Sequence, residues 1–565
     1  MPQDAYTLRY LCEELNLIFK GGKVNRIVQP SGDEIVFTVY TGKRTEKLLL
    51  SVNPSMPRIG VIDREKDSPL TPPNFCMLLR KHLLSATILD MSLVGFDRII
   101  KIDFLSSAEF FDSTVKTVYV ELMGRYSNVI LTQDGKVLGG NRGINMFDDG
   151  VRPLIVGKPY VFPPVGDKKL PSDQSLVEFF NGVDIKELPD LITQNVQGIA
   201  KSTAMEIVSV FDKENEQDKV DGKAFFSHMQ TFLFYPKSKP CVVYIDGQIK
   251  DVLTHPYGEL KGTFKHFENL YQAEDYFFFE REKEKEYSAK KERLTSIVNT
   301  AVKKIKKRLT AIKAKETDAQ SCEQNRIAGE LILSNIYKIK QGDKECVVFN
   351  YYDDKEQVVA LDERLSPSKN AEVYYKKYNK QKRTLTALKP QKEQAQEQLS
   401  YFESVLDMIS LAEKIIDLDL IELELIDGGF ISNKKTPVKK NKQSVSFRRY
   451  LIDGFNVKVG RNNTENDQLV SGAKPNDLWL HSKLYHSSHV IIESENREVP
   501  DSVIKSASEL CAYYSKARNG GKTEIVYTKR KNVKKPPHAK PGFVHYDNFN
   551  SISVSPEKHE KELIE

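Results

Sequence analysis

Apolar and polar positions alternate through much of the first 170 residues, as in Glu34-Ile-Val-Phe-Thr-Val-Tyr40, Lys47-Leu-Leu-Leu-Ser-Val52 and Thr117-Val-Tyr-Val-Glu-Leu122. A period of two belongs to half-buried strands, so the pattern predicts an antiparallel sheet. Ala5 to Phe19 and Phe75 to Ser85 instead carry apolar residues at helical spacing and predict helices packed on that sheet. From residue 176 to about 235 the periodicity turns helical. Within it, Leu191 to Ile207 reads as two helical runs joined at Gly198, the pattern of a helix-hairpin-helix. The free N–H groups at the start of such a second helix suit a phosphate, which makes Gly198 and Lys201 candidate phosphate contacts; a helical pair that only packs is the equal alternative.

Tyr271 to Ala319 is dense in Lys and Glu, with Leu294, Ile297, Val298, Ala301, Ile305, Leu309 and Ile312 forming one apolar seam. A second such run is expected from Pro390, placed in a first helical turn, to Leu425, with a small β-like insert between the two. The pair predicts a long antiparallel coiled-coil arm. Beyond it, strands are expected around 456–460, 488–493 and 524–528 with a helix from Ser502 to Lys516. The fold class is therefore α+β multidomain: a lobe at 1–175, the helix-hairpin-helix at 176–235, a second part of the lobe at 236–270, the arm at 271–433 with its insert at 336–380, a basic linker at 434–449, and an α+β domain at 450–565.

A chain of 565 residues with 40% hydrophobic content suffices for several cores. Its net charge of +6 is small, but the distribution is uneven: seven basic residues and no acid lie between Lys434 and Arg449, and nine against Glu524 alone lie between Lys516 and Lys540. Those stretches are the footprint expected of a nucleic-acid binder. The six cysteines contain no CxxC pair, which argues against a disulfide framework or a zinc module and for reduced cytoplasmic thiols. No apolar run reaches the length of a membrane span. His481, His486 and His489 lie close enough in sequence to suggest a metal, yet no metal-binding helix motif surrounds them, so no metal or other cofactor is expected. Asn519-Gly-Gly-Lys-Thr523 imitates the end of a phosphate-binding loop but has Lys516 where that motif requires glycine.

Three further segments carry a resemblance. They are Glu121-Leu-Met-Gly-Arg-Tyr-Ser-Asn-Val-Ile130, preceded by Gly95-Phe-Asp-Arg98; Leu361 to Ala371, followed by Tyr374-Tyr-Lys-Lys-Tyr378; and Val459-Gly-Arg-Asn-Asn463 with Asn476-Asp-Leu-Trp-Leu-His481, Tyr514-Ser-Lys-Ala-Arg518, Val533-Lys-Lys-Pro536 and Lys540-Pro-Gly542. In this order they resemble the NFACT family of ribosome quality control factors, which includes the RqcH proteins. Two departures stand out: His486-Ser-Ser-His489 replaces a glycine-containing turn, and Leu480 follows Trp479 where an aromatic is usual.

The resemblance implies a bacterial factor that is not itself an enzyme. It would bind a stalled 50S subunit carrying peptidyl-tRNA and recruit alanyl-tRNA, and the ribosome's own peptidyl transferase centre would append untemplated alanine as a degradation signal. A small RNA-binding partner of the RqcP type, a monomeric state and no membrane partner are further expectations. Asp97 and Arg98 resemble the family's tRNA-recognising pair, and a joint site there needs a bend at Gly95. Arg125, Ser127 and Asn128 are candidate tRNA contacts. Arg461, His481, Lys516, Arg518, Lys529, Arg530, Lys531, Lys534 and Lys535 are candidate RNA contacts. Trp479 is expected in a core.

The first half also resembles DNA glycosylases of the formamidopyrimidine type, implying a glycosylase-like N-terminal domain. Pro2 is present, but Gln3 stands where those enzymes have an acid, and no four-cysteine finger follows. Fibronectin is a second partner that an alternative label of the family implies, although no secretion signal or wall anchor is seen.

Overall fold

The computed structural model describes residues 3–106, 114–142, 152, 154–164, 166–215, 219–235, 239–432, 447–537 and 539–564. Pro2 and most of the basic linker at 434–449 lie outside them. The chain divides into two units, Met1–Glu284 and Lys285–Glu565.

In the first unit, α1 (Ala5–Phe19) begins at Asp4, whose carboxylate accepts from Thr7 N at 2.9 Å. Its Leu8, Leu11, Leu15 and Phe19 recur at helical spacing and are fully buried. Then come β1 (Lys23–Ser31), β2 (Glu34–Tyr40), β3 (Thr45–Ser51), β4 (Arg58–Val61), α2 (Asn74–Leu83), β5 (Thr87–Leu93), β6 (Ile99–Ser106), β7 (Thr114–Glu121), β8 (Asn128–Gln133) and β9 (Lys136–Gly140). These strands form one nine-stranded sheet in the order β4-β3-β2-β1-β5-β6-β7-β8-β9. Every pairing is antiparallel, as the period-two pattern predicts.

The helices α3 (Leu176–Phe180), α4 (Leu188–Asn195), α5 (Lys201–Asn215) and α6 (Gly222–Phe234) enclose a separate core that includes Phe180, Ile192, Phe211 and Phe225. A three-stranded sheet of β10 (Cys241–Ile245), β11 (Gln248–Leu253) and β12 (Thr263–His266) follows. The first turns of α7 (Leu270–Gln320) close the main core with Leu270, Ala273, Phe277 and Phe278. There the buried Arg58 guanidinium pairs with Glu282 at 2.7 Å and lies over the Phe278 ring, so the charge is compensated where water is excluded.

In the second unit α7 continues and is followed by α8 (Cys322–Ser334), the hairpin β13 (Glu345–Asn350) and β14 (Lys355–Ala360), α9 (Pro367–Leu411) and α10 (Ile415–Asp427). Leu294, Val298, Val302 and Ile305 of α7 share a core with Ala395, Phe402, Val405 and Ile409 of α9. Ion pairs show the opposed directions: Lys306 meets Glu403 at 3.2 Å, and further along α7 Glu316 meets Lys392 at 2.7 Å. One expectation is corrected here. Pro390 is not in a first turn but inside α9, which begins at Pro367 after the Ser366 cap. Ser-Pro is the stronger start signal, and tertiary packing carries the helix through the later proline.

The unit continues with β15 (Arg448–Ile452), β16 (Phe455–Val459), α11 (Asn463–Gly472), β17 (Leu478–Ser482), β18 (Val490–Ile492), α12 (Asp501–Tyr513), β19 (Thr523–Lys529), β20 (Val533–Lys534), β21 (His545–Tyr546) and β22 (Asn550–Val554). The main sheet runs β15-β16-β18-β17-β19-β22. Val503, Ala507, Leu510 and Cys511 of α12 join one core, while Trp479 is fully buried in another with Leu469, Val470, Ile491 and Val526. All six cysteines are free thiols. Among the described residues, no helix is long and apolar enough to cross a membrane.

Candidate nucleic-acid interface

Asp97 and Arg98 sit in the turn between β5 and β6. Gly95 makes that turn at φ +59°, and Val94 N closes it onto Ile99 O at 2.8 Å. A left-handed residue at this point frees the next two side chains from strand alternation. Asp97 Oδ1 accepts from Arg98 N at 2.7 Å and its Oδ2 accepts from Gln197 Nε2 at 3.3 Å. The second bond reaches the turn between α4 and α5. That turn and the Asp97–Arg98 pair line one open cavity of about 370 Å³, together with Gln3 and Lys168.

Gly198 makes the α4–α5 turn at φ +75°, and a Cβ there would lie 2.2 Å from Phe96 O and 2.5 Å from Ala5 Cβ. The glycine thus lets the two turns and the start of α1 meet in backbone contact, and Ala5 N donates to Gly198 O at 2.9 Å. Asp4 completes the junction. Its Oδ2 accepts from Ala200 N at 3.1 Å and Thr203 Oγ1 at 2.7 Å, so one carboxylate serves the beginnings of both α1 and α5. The Ala200 N–H that a phosphate would use is therefore already bonded. Lys201 is exposed and pairs with Asp190 at 2.9 Å.

Arg125, Ser127 and Asn128 do not line this cavity. Arg125 is exposed beside the Tyr126 ring. Ser127 is fully buried and Asn128 nearly so, with Asn128 Oδ1 accepting from Val129 N and Arg142 N, both at 2.9 Å. Both face inward, and Asn128 fixes the chain at Arg142. Nearby, the buried Glu121 accepts two bonds from Arg152, at 2.6 and 3.0 Å, and one from Tyr160 OH at 2.7 Å.

In the second unit the basic residues fall into two groups. Arg461 is largely buried and bound to Glu465 through Nη2 at 2.7 Å, with its backbone N on the same carboxylate. Arg518 pairs with Glu413 at 2.6 Å over the Tyr513 ring, Lys516 with Asp407 at 3.5 Å, and Lys535 with Asp467. Arg530 Nε donates to Val470 O at 2.7 Å. Lys529, Lys531 and Lys534 are exposed and form no ion pair among the described residues.

His481 stacks parallel to Trp479 at 5.6 Å and meets His489 edge-on at 5.3 Å. Its Nδ1 lies 2.6 Å from Ser482 O. A carbonyl only accepts, so Nδ1 carries the proton and Nε2 the lone pair. Burial holds the His481 pKa down at about 4 and pushes that of His489 well below the ordinary value, so both are neutral at pH 7. His486 instead pairs with Asp407 at 2.9 Å. Asp4, which positions the starts of α1 and α5, is a residue that sequence reasoning passed over; the cap position before α1 was the available signal.

Comparison with known proteins agrees with this organisation. The family model of the NFACT N-terminal and middle domains matches residues 4–444, and that of the NFACT protein RNA binding domain matches residues 446–554. The Rqc2 homolog RqcH of Bacillus subtilis is 31% identical over 99% of this chain and 98% of its own. The protein of the same name from Streptococcus suis is 28% identical over 98% of each chain. The archaeal Rqc2 homolog aRqcH of Methanocaldococcus jannaschii is 22% identical over 81% of this chain and 73% of its own. With both family models in sequence order and a relative of that identity spanning nearly its full length, the chain belongs to the NFACT family.

Proposed function

We propose that this chain acts in the cytoplasm as a ribosome quality control factor. It binds 50S subunits that still carry peptidyl-tRNA and brings in alanyl-tRNA, so that the ribosome's own peptidyl transferase centre extends the stalled chain with alanine. The observation that carries the reading is the cavity shared by Asp97, Arg98 and the Gly198 turn, since two motifs 100 residues apart converge on one concave site. Membership of the NFACT family and relatives named as Rqc2 homologues support it.

In this reading Arg98 meets a phosphate or stacks on an unstacked base, while Asp97 accepts from a base amine. The α4–α5 turn acts as a helix-hairpin-helix of a glycosylase-like lobe, and Arg125 adds a peripheral phosphate contact. The coiled-coil arm reaches the stalk region of the subunit, and the exposed lysines of the RNA-binding domain grip RNA, beside an RqcP-type partner. The protein contributes positioning and no bond-making group.

The test is to purify tagged wild type and the Asp97→Ala, Arg98→Ala double variant from the native cell, sequence the bound RNA and identify the bound proteins. The expected result is large-subunit proteins with both, and enriched alanyl-tRNA with the wild type alone. Absence of ribosomal material from both would overturn the reading and make fibronectin and lesion-containing DNA the next ligands to try.

A further inference from the structure

A cavity of about 560 Å³ opens in the second unit between α9, α11 and the loop from Pro536 to Phe543, within the roughly 300–1,000 Å³ of small-molecule sites. Its walls offer flat apolar faces, with Tyr401 and Met408 on α9 and Pro537, Pro541 and Phe543 on the loop. Its polar groups are numerous and of differing character. His481 presents the Nε2 lone pair, because its Nδ1 proton is committed to Ser482 O and its ring is held flat on Trp479. Glu397 adds an exposed acceptor on α9, and Lys540 supplies a donor, while His486 is turned to Asp407 through its Nδ1 at 2.9 Å.

The cavity is built and braced. Gly542 N donates to Asp467 Oδ1 at 3.0 Å, and Lys535 binds the same carboxylate, so both ends of the proline-rich loop are tied to α11. Gly542 stands at φ +81°, where a Cβ would come within 2.3 Å of Asn463 Oδ1. Beneath, the buried Glu424 accepts from Tyr401 OH at 2.9 Å, Asn463 N at 3.0 Å, Asn463 Nδ2 at 3.1 Å and Thr464 N at 3.3 Å, joining α9, α10 and α11. A rim fixed before binding spares a ligand the entropy of ordering it.

We propose that this cavity receives one unstacked nucleotide of a single-stranded RNA segment, an amine-bearing base lying between Phe543 and the α9 wall with its amine on His481, and its phosphate turned toward Lys540. Aromatic and proline faces accept any base, while the His481 acceptor favours adenine or cytosine, whose exocyclic amines can donate to it, over uracil, which has none. The assignment rests on the RNA-binding reading of this region and adds to it a place and a base preference.

Trp479 is the only tryptophan of the chain and lies directly behind His481, so its fluorescence reports occupancy. Eight-nucleotide oligoadenylate, oligocytidylate and oligouridylate, and AMP alone, are titrated into the full-length protein while this signal and the anisotropy of labelled RNA are followed. The expected result is tighter binding of the A and C oligomers than of U, with a Trp479 change. Phe543→Ala, at a half-exposed rim position, weakens A binding about tenfold, the loss of one stacking face. His481→Phe, which keeps the stacked ring, removes the preference over U.

Equal affinity for all three oligomers, unmoved by Phe543→Ala but lost on replacing Lys529, Lys531 and Lys534 together, would leave the RNA-binding reading standing and overturn the pocket. Binding of AMP without competition by RNA would assign the cavity to a free nucleotide and overturn the RNA source. No binding of any RNA would sink both.

Discussion

At Gly198 the structure leaves no room for one more carbon, since the added Cβ would meet the Phe96 carbonyl at 2.2 Å in a backbone conformation of φ +75°. Gly198→Ala therefore strains both the turn and its neighbour, and should cost about 3 kcal/mol of stability, whereas Lys201→Ala at the exposed Asp190 pair should stay within about 0.5 kcal/mol. Thermal unfolding of the two variants compares them directly; equal midpoints would mean that the Phe96 loop yields. His481 makes a second residue-level prediction. Its folded pKa of about 4 lies below the ordinary 6.5, so its contribution to stability is present above pH 6.5 and is lost as pH falls through 4. The loss should reach about 2 to 3 kcal/mol, with His489 acting in the same direction. Denaturation followed by Trp479 fluorescence at pH 7.5 and 4.5 measures it, and His481→Phe should flatten the difference.

Among the elements, α9 shows where local signals mislead. Its seam residues Phe402, Val405 and Ile409 are legible from spacing alone, and so are the limits of α1, where a capping Asp4 precedes an unbroken apolar stripe. The start of α9 is not, because Pro390 interrupts the pattern and the residues before it, Lys376 to Arg383, are too charged to show a seam. Packing on α8 and α7 supplies what propensity lacks. Because Pro390 is exposed inside a continuous helix, Pro390→Ala should restore a missing backbone hydrogen bond and stabilise the arm by up to about 3 kcal/mol. Circular dichroism melting reads this as a higher midpoint at 222 nm; a lower one would show that the proline ring contributes packing that alanine cannot replace.

For the whole molecule, the second charge run of the sequence falls within the residues that match the RNA binding domain, but several of its cations are already paired with acids. Arg518 and Lys535 lie in that run, yet each is held by an acid remote in sequence, Glu413 in the connection between α9 and α10 and Asp467 in α11. Such pairing is set by tertiary structure, and a linear charge count is blind to it. The cavity at Asp97 is hidden for the same reason, since its other wall comes from residues 197–200. Counterion release separates the two classes of basic residue. Replacing the exposed Lys529, Lys531 and Lys534 with alanine should weaken single-stranded RNA binding and reduce the slope of log affinity against log salt by about 2, at roughly 0.7 per phosphate contact. Arg461→Gln should leave that slope unchanged and instead lower thermal stability, because it strips the buried Glu465 of its cation. A slope that falls equally in both variants would place Arg461 on the RNA after all, with Glu465 released on binding; a slope that falls in neither would move the electrostatic contact to another face of the protein.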